Sequence, residues 1–115
     1  MTTQPITLTA DTFAADVLNS SVPAVVDFWA PWCGPCRIMN PIVSQIAEDY
    51  GDAIAVGKLN VDEANAIAQQ YNISSIPTLI IFRDGEEIDR ISGLATKETI
   101  VQRLNQLEIV GAIAV

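Results

Sequence analysis

Apolar positions along the chain follow two periods, and the switches between them outline the elements. Ala24-Val-Val-Asp-Phe-Trp29 is β-branched and aromatic and lies between Pro23 and Pro31. It predicts a central strand buried on both faces, although an Asp in its middle is anomalous. Beyond Cys36 the period becomes 3.6, with Ile38, Met39, Ile42, Val43, Ile46 and Ala47 on one face. That pattern predicts an amphipathic helix ending near Tyr50, with Gly51 as its stop and a kink at Pro41, whose ring nitrogen cannot donate to Arg37. Ile54 to Asn60 and Thr78 to Arg83 predict two further strands. Asp84-Gly85 signals a hairpin into an edge strand over Glu86 to Ser92. Shorter signals complete the order: a strand at Ile6 to Leu8 and a first helix carrying Phe13, Val17 and Leu18. A helix carrying Ile67, Ala68 and Tyr71 is expected to be capped by Asp62. A last helix is capped by Thr96 and buries Ile100, Val101, Leu104 and Leu107. The order β-α-β-α-β-α-β-β-α implies an α/β fold, with a central mixed sheet and helices on both faces.

The segment Trp32-Cys33-Gly34-Pro35-Cys36 falls between the buried strand and the long helix. Cys33 would sit at the helix N-terminus, where unpaired N–H groups and the helix dipole favour a thiolate. Cys36, one turn on, is within reach of it, and Pro35 suits a first helical turn. A dithiol that cycles to a disulfide fits this context, with Cys33 as the exposed nucleophile and Cys36 as the resolving thiol. The competing readings are a structural pair or half of a metal site.

Composition narrows the choice. The 115 residues contain two Cys and no His, so histidine-based hydrolases and histidine metal sites are excluded. A four-ligand zinc site would need carboxylates or a second chain. The net charge of −8, from six basic and fourteen acidic residues, disfavours nucleic acid and anionic membranes as partners. The N-terminal residues carry no secretory or transit signal, and no apolar run approaches the ~20 residues of a membrane span, so a cytoplasmic protein is expected. Residues 108–115 form an apolar extension that could pack back on the body, self-associate or stay disordered.

Taken together, Asp27 through Cys36, Pro41, Lys58 to Asp62, Ile76-Pro77-Thr78, Asp84-Gly85 and Gly93 closely resemble the thioredoxin family. The resemblance covers about residues 4 to 107, so the expected domain is 1–107. It implies the thioredoxin fold and a protein dithiol-disulfide oxidoreductase needing no cofactor beyond its Cys33–Cys36 disulfide. It also implies disulfide-containing target proteins, a thioredoxin reductase that restores the dithiol, and a monomer. Asp27, buried behind the motif, would accept the proton of Cys36, with Lys58 beside it tuning that affinity. Ile76-Pro77 would be a cis-proline loop against the disulfide, pairing with an extended target chain. Trp32, Val61, Ile76 and Gly93 would form the apolar docking surface, whereas Trp29 and Phe28 read as packing. Ser74 departs from the family, where a basic residue is common. Two other functions stay open: a disulfide oxidase or isomerase of the same fold, disfavoured by Gly34-Pro35 and the missing His, and a non-catalytic binding module.

Overall fold

In the computed structural model, which describes residues 4–111, the apolar run Ala24–Trp29 forms the central strand β2. Its neighbours are β3 (Ala55–Asn60) and β4 (Thr78–Arg83), with β1 (Ile6–Leu8) and β5 (Glu86–Ser92) at the edges. The order across the sheet is β1-β3-β2-β4-β5. β1, β3 and β2 run parallel, and β4 and β5 are antiparallel additions. Both hairpin residues, Asp84 and Gly85, have positive φ (53° and 80°), as a two-residue turn matched to strand twist requires.

Alternation along β2 divides the core in two. Val25 faces α1 (Gly34–Tyr50) and α3 (Lys97–Gln106), packing with Met39, Val43, Ile46, Ile100 and Leu104. Ala24, Val26 and Phe28 face the other way, toward Phe13, Val17, α2 (Asn65–Gln70) and Phe82. Helices therefore cover both faces, as expected for an α/β fold. On that second face Phe13, Tyr71 and Phe82 stack mutually, with centroids 5.3–5.9 Å apart. The first helical segment is one wide π-type turn, Ala14–Leu18, closed by Asn19 N–H to Ala14 O at 2.9 Å.

Three local expectations need comment. Pro41 lies inside α1, as expected, and the helix runs on through it as one 17-residue element. Asp62 does not cap α2: the residue before that helix is Ala64, and no side chain caps it. Thr96 caps α3 as expected, accepting from Thr99 N–H at 3.1 Å.

α3 closes through paired backbone bonds. Glu108 N–H donates to Asn105 O (3.0 Å) and Ile109 N–H to Leu104 O (2.9 Å), with Glu108 at φ 61°. This is a Schellman turn, and it folds Ile109, 3% exposed, into the α1/α3 core. Part of the apolar extension thus packs on the body. Residues 112–115, also part of that extension, lie outside the described residues.

Candidate active site

Where β2 ends, Ala30 O accepts the Cys33 N–H at 3.1 Å and the chain turns directly into α1. Cys33 is the N-cap of that helix, in extended conformation, and the Cys36 N–H points at its Sγ from 3.2 Å. Gly34 and Pro35 fill the first turn, both exposed, and a side chain at Gly34 would meet nothing within 4 Å. Cys33 and Cys36 are joined as a disulfide, with Cα atoms 5.3 Å apart. Neither is openly exposed. Cys36 is 1% accessible and Cys33 only 4%, which corrects the expectation of an exposed nucleophile. The cause is packing: both sulfurs nest with Ala30, flanked by Trp29, Val61 and Ile76.

A second loop closes over the pair. The Ile76-Pro77 bond is cis, and Ile76 O lies 3.7 Å from Cys33 Sγ. In the disulfide that is a contact, because the sulfur has no proton to donate. Gly93 N–H donates to Pro77 O at 2.8 Å, and Gly93 holds φ 88°, a conformation open to glycine. Nothing lies within 4 Å of where a Gly93 side chain would start, so this flank is free. On the opposite flank Trp32 is 67% exposed, with its indole N–H donating to Asp62 Oδ2 at 2.8 Å. Between Trp32 and Ile76 lies an open cleft of about 190 Å³, whose floor includes Val61, Ala68 and Ile73 and whose rim includes Ser74. Val61 and Ile76 thus pack against the disulfide, Pro77 and Gly93 are tied to Ile76 through the cis bond and the Gly93 N–H, and Trp32 directly precedes Cys33.

Two residues before Trp29 on β2 sits the anomalous carboxylate. Asp27 is fully buried, and among the described residues no protein group hydrogen-bonds either of its oxygens. Burial pushes its pKa up to about 7, and the positive charge of Lys58 pulls in the opposite direction. Lys58 is its register partner on β3, so the two side chains stand on one face of the sheet. They nevertheless form no ion pair. The Lys58 ammonium sits over the Trp29 ring, 4.4 Å from the centroid. Arg37 turns back to Pro31 O at 3.2 Å, in an exposed position.

A family model for thioredoxin matches residues 4–106. The chain belongs to the thioredoxin family. With its Cys-Gly-Pro-Cys disulfide it is a dithiol-disulfide oxidoreductase, a family that works with disulfide-bearing targets and a reductase. Curated relatives agree. Thioredoxin 1 of Synechococcus elongatus is 50% identical over 99 residues, covering 86% of this chain and 92% of that one. The M-type chloroplastic thioredoxin of Chlamydomonas reinhardtii is 51% identical over 96 residues, covering 84% and 69%. The thioredoxin of Mycolicibacterium smegmatis is 44% identical over 102 residues, covering 87% and 91%. Among the described residues no cluster of three or more His, Cys, Asp or Glu could hold a metal, and no helix is long and apolar enough to cross a membrane.

Two contacts at this thioredoxin-family site escaped sequence reasoning. Asp62 serves Trp32, 30 residues away, rather than the helix next to it. Trp29 is more than packing, since it carries the Lys58 charge. Neither has a local signal: only the parallel pairing of β2 with β3 brings Trp29 and Lys58 together.

Proposed function

We propose that Cys33 is the attacking sulfur and Cys36 the resolving one in the reduction of target-protein disulfides. The observation that carries this is the capping geometry: the Cys36 N–H and the N-terminal end of α1 converge on Cys33 Sγ, where they would stabilise a thiolate in the dithiol state. That thiolate attacks one sulfur of the target, forming a Cys33–target mixed disulfide and releasing the other target sulfur as a thiolate. Cys36 then loses its proton and attacks Cys33 Sγ. The Cys33–Cys36 bond forms, the second target thiolate leaves, and two electrons have passed from the dithiol to the target. Asp27 is the acceptor of the Cys36 proton, and Lys58 tunes its affinity. A carboxyl titrating at about 7 suits that task near neutral pH.

Trp32, Val61, Ile76, Pro77 and Gly93 form the docking surface, along which an extended target segment pairs with the backbone at Ile76. Gly34 leaves room beside the sulfur, and Pro35 holds the first turn. The chain acts as a monomer, without metal or organic cofactor, and draws electrons from a thioredoxin reductase. A reducing compartment such as the cytoplasm keeps such a dithiol available. One relative is named chloroplastic, so cell fractionation decides between the two.

Reduction of insulin disulfides, driven in turn by an NADPH-flavin and by a ferredoxin-dependent reductase, tests the activity. Turnover with neither contradicts it. Cys36→Ser is expected to accumulate the mixed disulfide and Cys33→Ser to lose turnover, whereas a pure binding module would keep its function in Cys33→Ser. Asp27→Asn is expected to keep the fold and slow resolution by about 10²-fold near neutral pH, erasing the rise of the parent rate through about pH 7. Equal resolution rates for variant and parent from about pH 6 to about pH 9 would sink the proton-acceptor role.

A further inference from the structure

Three side chains on the α1 face of the sheet make an arrangement that the redox chemistry alone does not explain. Asp27 and Trp29 are two residues apart on β2, so both point toward α1, and Lys58 is paired in register with Asp27 on β3. The long Lys58 side chain therefore has two destinations on one surface. One is a buried carboxylate directly beside it, to which no described protein group hydrogen-bonds. The other is the π face of an indole on the diagonal. The ammonium lies over the indole, 4.4 Å from its centroid, and forms no ion pair with Asp27.

We propose that Trp29 is a positioning residue: its ring holds the Lys58 ammonium off Asp27 and thereby sets how firmly the buried carboxyl keeps its proton. Trp offers the strongest cation–π face among the side chains, so it competes with the carboxylate for the charge. The other ionisable groups on this face are the two cysteines at the start of α1, silent while joined as a disulfide, and, among the residues packed around Val25 and Ile81, Tyr50 of α1 and Asp89 of β5, the latter neutralised by Arg103 of α3. Leu79, the partner of Asp27 on β4, carries no charge. Lys58 is thus the mobile charge that Asp27 feels, and Trp29 decides where it rests. The consequence for turnover rests on the proposed role of Asp27 as proton acceptor; the consequence for its titration does not.

The test is a carboxyl ¹³C NMR titration of the oxidised full chain, with the Asp27 resonance assigned through Asp27→Asn. Trp29→Leu removes the π face, and the Asp27 midpoint is expected to fall by about one pH unit as Lys58 moves onto the carboxylate. Trp29→Phe, which keeps a weaker face, should lower it by less. In a Lys58→Met background, the midpoint should start higher than in the parent and no longer respond to either Trp29 substitution. The proposal is overturned if the midpoint stays put in both Trp29 variants. It is equally overturned if the fall persists without Lys58, because water admitted to the pocket then accounts for it. Should Trp29→Leu fail to fold, Trp29→Phe with and without Lys58→Met carries the same comparison. Failure of the proton-acceptor role would show separately, as an unchanged resolution rate in Asp27→Asn.

Discussion

The two faces of β2 solve different problems with residues that alternate along one strand. Ala24, Val26 and Phe28 point to one side, are at most 1% exposed, and pack in an apolar cluster that includes the Phe13–Tyr71–Phe82 stack, with Thr78 beside Phe28 turning its hydroxyl to Ser75 O. Val25, Asp27 and Trp29 point to the other side. There the packing is interrupted by a buried carboxyl and a lysine resting on an indole that flanks the disulfide. The first face is built for stability. The second gives some up, because a carboxyl without partners is costly to ionise in a dry interior. The chain tolerates this because the other face, and the apolar packing of α1 and α3 around Val25, supply the stability.

Substitutions on each face should separate these roles. The largest effect is expected at Phe28, where Phe28→Ala should cost about 3–5 kcal/mol in denaturant melts and leave the pH dependence of the protein unaltered. A changed pH dependence would mean the faces are coupled. The carboxyl face should show the reverse. In the unfolded chain Asp27 releases its proton near its usual 3.8, but in the folded chain only near 7. Between those values the folded state binds more protons than the unfolded one, so stability falls as pH rises through the window and then levels off. A gap of about three between the two pKa values, at about 1.4 kcal/mol each, corresponds to about 4 kcal/mol. Oxidised Asp27→Asn should lack this slope, gaining on the parent as melts move from about pH 4 to about pH 8. Parallel stability curves for parent and variant would contradict it.

Smaller effects probe the edges of the carboxyl face. Thr96→Ala removes the cap of α3, one of the helices covering it, and should cost about 1 kcal/mol at all pH values. Asp62→Ala frees the Trp32 indole N–H. Because that ring is largely exposed, the loss should be under about 1 kcal/mol, while Trp32 fluorescence and the affinity for targets change more visibly.

Much of this was legible in the sequence, for a physical reason. Strands β2, β4 and β5 match their predicted spans residue for residue, because each is bounded by Pro, Gly or a turn pair that stops an extended chain. The Cys33–Cys36 pair was legible because a strand-to-helix junction is a local feature. What was not legible depends on partners distant in sequence. Asp62 looked like a cap for α2 because capping is a short-range rule, yet the Trp32 N–H, 30 residues away, takes its side chain. The near-complete covering of Cys33 comes from Val61 and Ile76, on two other loops. Trp29 beneath Lys58 depends on strand register, which hydrophobic pattern constrains but does not print.

The Schellman turn at Glu108 also has a practical meaning for anyone shortening this protein. The last helix stops at Gln106, but the folded body does not, because Ile109 plugs the core between α1 and α3. A version trimmed at the helix end would leave a hole where a buried isoleucine belongs, at about 2–5 kcal/mol by analogy with large-to-small core changes. Shortened versions are therefore expected to keep their stability only when they reach through Ile109, with a tag or fusion partner placed beyond the exposed Val110.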